Sequence, residues 1–224
     1  MGQILKALRS YRLEDRTLVV FTSDNGPWLL YGNHAGHARP LREGKATVFE
    51  GGVRVPCLMR WPGRIPKGRV CSEFATTMDL LPTLAALAGA SLPADRIIDG
   101  KDVWPLTAGQ TGAKSSHEAF YYYWDRHLQA VRSGQWKLHF PHDYPRPEPP
   151  GADGRPGQYA SRRIGQELFD FETDPSETAD LAARYPAIVN RLRELAERAR
   201  EDLGDSAVGR TGKNLRPAGR LGEL

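Results

Sequence analysis

Residues 19–27, which read VVFTSDNGP, decide the fold class of this chain. The apolar part of the segment extends back to Leu18 and shows no alternation. Such a run is typical of a strand covered on both faces, as in the parallel sheets of α/β proteins. Residues 1–16 before it carry the apolar spacing of an amphipathic helix. A helix followed by a buried strand predicts an α/β domain.

Two polar side chains follow this strand directly. Asp24 offers carboxylate oxygens and Asn25 an amide oxygen, and both suit a hard cation such as calcium. They come at the carboxyl end of a strand, where open α/β sheets place their ligands. The same Asp-Asn-Gly-Pro sequence is also ordinary turn chemistry. Because calcium takes about six to eight oxygens, we expect at most an incomplete Ca²⁺ site that needs further ligands.

A lysine lies on the glycine-rich loop that follows. Lys45 comes after Gly44, but Arg39 and Ala46 stand where a phosphate-binding P-loop requires glycine and a hydroxyl residue. A P-loop is therefore excluded. Lys45 can instead serve as a point charge for a tetrahedral anion, or it is an ordinary solvated lysine.

Two histidines, His34 and His37, lie three residues apart on the same loop. A zinc site is not expected, since no HExxH pattern or other set of ligands at zinc spacing is present. Either histidine could contact an anionic substrate or be a polar loop residue.

The composition excludes several functional classes. The 224 residues include 31 Lys or Arg against 27 Asp or Glu, for a net charge of +4. These charges are interspersed without a long basic block, so no nucleic-acid partner is expected. The sequence contains no run of about 18 apolar residues, so no membrane-spanning helix is expected. The first residues also lack the apolar core of a signal peptide. Cys57 and Cys71 are compatible with a disulfide or with two free thiols.

The second half of the chain has a different periodicity. Short strands are predicted at residues 119–124, 128–132, 136–140 and 167–171. Residues 141–165 read as a Pro/Gly-rich loop, and residues 181–203 as a long amphipathic helix that Gly204 ends. We therefore predict a small α+β subdomain at residues 113–204 after an α/β domain at residues 1–112. The polar residues 205–224 should be extended or poorly ordered.

The strongest guide to function is a series of segments in one order along the chain: VVFTSDNGP at 19–27, LREGK at 41–45, FEGGVRVP at 49–56, RWPG at 60–63, MDLLPTL at 78–84, DG at 99–100, QWKL at 135–138, ELFDF at 167–171 and DPSE at 174–177. Through them the chain resembles the later part of a type I sulfatase in the alkaline-phosphatase-like superfamily. It most resembles the arylsulfatase A and N-acetylgalactosamine-6-sulfatase branch. The resemblance implies that fold, with a C-terminal subdomain of antiparallel sheet and long helix. It also implies hydrolysis of a sulfate ester, either an aryl sulfate or a sulfated sugar.

The resemblance also assigns roles to individual residues. In the family the Asp-Asn pair helps hold calcium, which implicates Asp24 and Asn25, and the lysine of the Gly-Lys element contacts the sulfate, which implicates Lys45. The family nucleophile is a hydrated formylglycine made from Cys or Ser in a C/S-x-P-x-R motif. This sequence contains no such motif, since residues 91–95, SLPAD, have Asp where Arg belongs.

The chain therefore resembles the C-terminal half of a sulfatase, truncated or split, which we expect to be inactive alone. We expect the formylglycine upstream, and the missing N-terminal half is a candidate partner. Related sulfatases are often periplasmic, secreted or lysosomal. Two alternatives stay open at this point: a phosphodiesterase or phosphonate hydrolase of the same superfamily, and a non-catalytic binding or assembly module.

Overall fold

The computed structural model describes residues 1–216, and the chain forms two compact units. The first unit consists of Met1–Ser23 and Pro56–Glu118. The second consists of Asp24–Val55 and the chain from Ala119 onward. The predicted domain division at residues 112 and 113 stays a prediction.

Short helices and two strands come first along the chain, followed by six consecutive strands, one long helix and two short strands. The helices are α1 (Gly2–Ser10), α2 (Glu50–Val53), α3 (Leu80–Leu87), α4 (Trp104–Thr107) and α5 (Pro186–Leu203). The strands are β1 (Val19–Thr22), β2 (Cys57–Arg60), β3 (Phe120–Trp124), β4 (His127–Ser133), β5 (Trp136–His139), β6 (His142–Pro147), β7 (Tyr159–Ile164), β8 (Glu167–Asp170), β9 (Gly204–Asp205) and β10 (Arg210–Thr211). Single turns of 3-10 helix occur at Glu14–Arg16, Thr77–Asp79 and Ser206–Val208, and a longer 3-10 segment spans Leu29–His34.

Strand β1 forms where the sequence predicts it, but its surroundings differ from the prediction. It pairs antiparallel with β2, with Phe21 opposite Leu58. The two side chains are 50% and 61% exposed. The prediction of a parallel strand buried on both faces is therefore wrong for the part of the chain that the structure describes. An unbroken apolar run indicates a preference for burial but does not specify the direction of the neighbouring strand.

Helix α3 of the first unit follows directly on a 3-10 turn and has clear signals at both ends. The 3-10 turn before it is held by Asp79, a buried carboxylate that accepts hydrogen bonds from the backbone N–H groups of Thr76 and Lys101. His117 Nε2 lies 2.8 Å from the same carboxylate. Gly89, with φ of +69°, follows the helix and ends it, since glycine adopts this left-handed conformation at low cost.

The second unit contains the predicted antiparallel sheet and long helix. Its four strands follow the order β3-β4-β5-β8, and every neighbouring pair is antiparallel. The core is formed by one face of the sheet and the apolar stripe of α5, through Leu128, Val131, Leu138, Leu168, Val189, Leu192, Leu195, Ala196 and Ala199. The helix begins at Pro186 rather than at residue 181, because proline is favoured in the first turn of a helix, where its missing N–H has no partner to lose.

The prediction of a loop at residues 141–165 is wrong, since most of this segment forms a β-hairpin. Strands β6 and β7 pair from His142 opposite Ile164 to Pro147 opposite Tyr159, and only residues 148–158 connect them. The prolines of β6 mask the strand in the sequence. They are tolerated because this is a two-stranded sheet, in which every strand is an edge.

The chain after α5 is also more ordered than the sequence predicts. Gly204 ends the helix with φ of +84°, as predicted. The expectation of an extended or poorly ordered chain from Asp205 is wrong up to Thr211, because β9 and β10 pair antiparallel there. Residues 217–224 of the predicted tail lie outside the described residues.

Two further sequence questions have direct answers in the structure. Cys57 and Cys71 are both free thiols and both exposed. Within residues 1–216, none of the helices combines the length and the apolar character needed to cross a membrane.

Candidate functional site

The Asp24-Asn25 pair lies on a loop of the second unit that packs tightly against the short helix α2. Asn25 Nδ2 donates to Asp24 Oδ2 at 2.6 Å, so the two side chains face each other. The next residue, Gly26, donates its N–H to the carbonyl of Gly52 at 2.9 Å. A Cβ at Gly26 would lie 1.8 Å from the carbonyl oxygen of Gly51. Only glycine permits this approach, which fixes the loop carrying the Asp-Asn pair.

Lys45 joins the same arrangement through its backbone. Its N–H donates to the carbonyl of Pro27 at 2.9 Å, and its Nζ lies 5.1 Å from the centroid of the Trp28 ring. Its ammonium makes no ion pair within the described chain. The structure thus brings Lys45 to the loop that carries Asp24 and Asn25, and leaves its charge available to an anion.

The two predicted histidines lie apart from this arrangement. His34 Nδ1 lies 2.8 Å from Asn33 Oδ1 and 3.0 Å from the N–H of Gly154. His37 is exposed, and no hydrogen bond or ring contact joins it to another residue between 1 and 216. Neither histidine contacts Lys45, Asp24 or Asn25 there. Their role as substrate contacts stays a prediction.

The aromatic residues beside Lys45 are not among the candidate residues predicted from the sequence. Trp28 Nε1 donates to the hydroxyl of Tyr159 at 3.0 Å, and the Trp28 and Tyr31 rings pack edge to face with centroids 5.0 Å apart. Tyr159 is the first residue of β7, 131 positions along the chain from Trp28. The only available signal was Trp28 itself, a large aromatic residue placed directly after the Asp-Asn-Gly-Pro turn.

A fully buried lysine supports these loops from the sheet. Lys137 on β5 is 0% exposed. Its Nζ donates to the carbonyl of Val48 at 2.6 Å and lies 3.2 Å from Glu50 Oε1 and 3.1 Å from Glu177 Oε1. Glu177 Oε2 in turn accepts the backbone N–H of Glu50 at 2.7 Å. Glu50 directly precedes the two glycines that contact the Asp-Asn loop, so this charged cluster positions the site.

The ionisation of the cluster follows from its burial and its contacts. Burial alone would raise the pKa of Glu177, but the Lys137 ammonium, the hydrogen bond from His139 and the N–H of Glu50 together lower it to about 2. Burial lowers the pKa of His139 to about 3, so this imidazole is neutral at pH 7. Its Nε2 donates to Glu177 Oε1 at 3.0 Å, because an ionised carboxylate can only accept. At pH 7 Glu177 is therefore an ionised carboxylate, and His139 is its neutral hydrogen-bond donor.

The Asp24-Asn25 pair fits calcium by ligand type but not by number. Both residues present hard oxygen donors of the kind calcium prefers. Across residues 1–216, no group of three or more His, Cys, Asp or Glu side chains is arranged to hold a metal ion. The pair would therefore supply a minority of the ligands of a calcium ion.

Two family models match this chain, one in each half. A family model described as Sulfatase matches residues 1–90, and one described as the C-terminal region of aryl-sulfatase matches residues 115–220. The chain belongs to the sulfatase family. Both matches follow the chain order expected from the sequence segments, and together they take in the candidate site loops and the sheet with its long helix.

Individual sulfatases are similar along most of the chain. Steryl-sulfatase from Mus musculus is 38% identical over 97% of this chain, and arylsulfatase A from Bos taurus is 44% identical over 81% of it. Each alignment takes in only 36% of the relative's own length. The solved structure of the PsFucS1 sulfatase from Pseudoalteromonas sp. superimposes with a TM-score of 0.74 at 26% identity, covering 88% of this chain and 39% of that one. The fold is the alkaline-phosphatase-like sulfatase fold that the sequence resemblance implies.

Proposed function

We propose that this chain contributes part of the calcium and sulfate site of a sulfuric ester hydrolase. In this proposal Lys45 binds the sulfate group, while Asp24 and Asn25 provide calcium ligands. The proposal rests on the backbone hydrogen bonds between the loop of Asp24 and Asn25 and the segment that contains Lys45. The Lys45 N–H bonds to Pro27 and the Gly26 N–H bonds to Gly52, so the lysine and the Asp-Asn pair share one rigid support.

The chemistry of the residues agrees with these roles. A calcium ion, when bound, would polarise a sulfate oxygen. Lys45 would pair with the sulfate and offset negative charge as the ester bond breaks, an effect that is strongest when the cation is held in advance. Contact with the Trp28 ring limits the conformations of the Lys45 side chain. The chain's own residues thus bind and orient the anionic end of a substrate.

We further propose that residues 1–224 do not hydrolyse sulfate esters without another polypeptide segment. The 224 residues contain no C/S-x-P-x-R sequence from which the family nucleophile, a formylglycine, is made. The alignments cover about a third of each similar sulfatase, which supports a partner role for the N-terminal part of a sulfatase. The substrate is then a sulfate ester of an aryl or sugar alcohol.

The proposal is tested by sulfate binding and by turnover. Titration of the chain with sodium sulfate, followed by NMR, should give saturable shifts that weaken about tenfold in Lys45→Met, the loss expected for one charge-assisted contact. Lys114→Met is a matched control, since Lys114 is an exposed lysine paired with Glu73 in the other unit. Sulfate binding that does not depend on Lys45 would contradict the assigned role. Turnover of 4-nitrophenyl sulfate by residues 1–224 alone would contradict the missing-nucleophile argument.

A further inference from the structure

The surroundings of Lys45 include an aromatic surface that binding of sulfate alone does not explain. Trp28 is 45% exposed although it is the largest side chain of its loop. Lys45 lies over its ring, Tyr31 packs against it edge to face, and its Nε1 is bonded to Tyr159. Tyr159 is itself 43% exposed. Two aromatic side chains are thus held in fixed positions, open to solvent, beside an available ammonium group.

The aromatic surface is held by two loops that are fastened together. The carbonyl of Leu30 accepts N–H groups from both Gly151 and Gly157, at 2.9 and 2.8 Å. Gly32 approaches the β6–β7 connection so closely that a Cβ there would lie 1.7 Å from the carbonyl oxygen of Gly151. This packing orders the loop of Trp28 in advance, and a binding surface ordered in advance loses less entropy when a ligand arrives.

The edge of the surface is polar. The Tyr159 hydroxyl lies beside the Trp28 ring, where it accepts the Trp28 Nε1 hydrogen bond and keeps its own hydrogen to donate. An aromatic face bordered by a hydroxyl and an ammonium suits a ring whose faces are apolar and whose edges carry hydroxyls. A sugar has this character, whereas a plain aryl ring would leave the Tyr159 hydroxyl hydrogen without an acceptor.

We propose that Trp28 and Tyr159 determine specificity by packing against the ring of a sulfated sugar whose sulfate group binds Lys45. The proposal rests on the assigned role of Lys45 and adds the side chains that recognise the ring. Trp28 supplies the packing face, and the Tyr159 hydroxyl holds that face in place through the Trp28 Nε1 hydrogen bond.

The test compares three ligands on the full chain by NMR of the tryptophan indole groups: galactose 6-sulfate, phenyl sulfate and sodium sulfate. We expect galactose 6-sulfate to shift the Trp28 indole signal and to bind more tightly than the other two. Trp28→Leu should weaken galactose 6-sulfate about three- to tenfold, the range for one aromatic contact, and change sodium sulfate less than twofold. Tyr159→Phe, which keeps the ring and removes the hydroxyl, should weaken galactose 6-sulfate by a smaller factor. Trp124→Leu serves as control, since Trp124 is similarly exposed on β3.

The outcomes separate this proposal from the one on which it rests. If Trp28→Leu weakens sodium sulfate and galactose 6-sulfate equally, Trp28 only positions Lys45, and the proposed specificity is wrong. Tighter binding of phenyl sulfate than of galactose 6-sulfate would overturn the sugar assignment. If sodium sulfate binding does not depend on Lys45, the proposed function fails and this proposal fails with it. Far-ultraviolet circular dichroism of each variant excludes misfolding as the cause, and Tyr159→Phe provides a second, milder perturbation.

Discussion

Replacement of Lys137 by methionine gives the sharpest test of how the second unit is held together. Methionine keeps most of the side-chain volume and removes the charge together with the N–H donors of the ammonium. Glu50 Oε1 and Glu177 Oε1, at 3.2 and 3.1 Å, would lose their cation, and the carbonyl of Val48 would lose its donor. All three groups are buried, so water cannot replace the ammonium.

The expected loss of stability is large. Removing one partner of a buried ion pair typically costs about 3–5 kcal/mol, against a total folding free energy of about 5–15 kcal/mol for a domain. Glu50 keeps a weaker contact with Arg132 at 3.5 Å, and Glu177 keeps its bonds to His139 and to the backbone N–H of Glu50. We therefore expect a loss of about 3 kcal/mol, the lower end of that range.

Urea unfolding at pH 7, followed by tryptophan fluorescence, measures this loss, because Trp136 is the neighbouring residue on β5. Lys114→Met is the control, since the exposed pair that it breaks is worth less than about 1 kcal/mol. Adding Glu177→Gln to Lys137→Met should restore part of the loss, because it removes the charge of the carboxylate that has no other cation beside it. A Lys137→Met chain that unfolds within 1 kcal/mol of the unmodified chain would refute the reasoning, as would a double variant less stable than the single one.

Two further predictions concern pH and the site loop. Burial lowers the pKa of His139 to about 3 from an unfolded value of 6.5. Unfolding therefore takes up a proton between pH 6.5 and pH 3, and the free energy of unfolding decreases as the pH falls through this range. Glu177, with its pKa lowered to about 2 from 4.5, decreases the free energy of unfolding further below pH 4.5. The urea midpoint should therefore fall between pH 7 and pH 4, and a midpoint that is flat or rises over this range would contradict the neutral buried histidine. Gly26→Ala would place a Cβ 1.8 Å from the carbonyl oxygen of Gly51, so it should cost about 1–3 kcal/mol in urea unfolding and weaken sulfate binding. Gly165→Ala is the control, since its Cβ would come no closer than 4.0 Å to another atom, and equal effects of the two variants would contradict the role of the close approach.

The elements that the sequence predicts correctly are those with local signals. The spacing of Leu192, Leu195 and Ala199 predicts the apolar face of α5, and Gly204 predicts its end. The strands of the four-stranded sheet alternate with clear turn residues such as Gly134, which has φ of +58°. These signals involve residues a few positions apart, so a single sequence contains them in full.

The features that sequence reasoning missed depend on residues far apart in the chain. The hydrogen bond between Trp28 and Tyr159 spans 131 positions, and the hairpin that places Tyr159 is masked by prolines. Lys137 looks like an ordinary strand lysine until Glu50 and Glu177 are brought to it from two other segments. Residue type and the family resemblance both point to Asp24, Asn25 and Lys45, but the backbone support that these residues share is visible only in three dimensions.

The double hydrogen bond to the carbonyl of Leu30 has a consequence for loop engineering. Since Gly151 and Gly157 both bond to this one oxygen, the segment 28–34 and the connection 148–158 form a matched pair. An insertion or deletion in either would misalign the other and move Trp28 relative to Lys45. Grafting a ligand preference from another sulfatase onto this chain should therefore require transplanting both segments together, with their lengths unchanged.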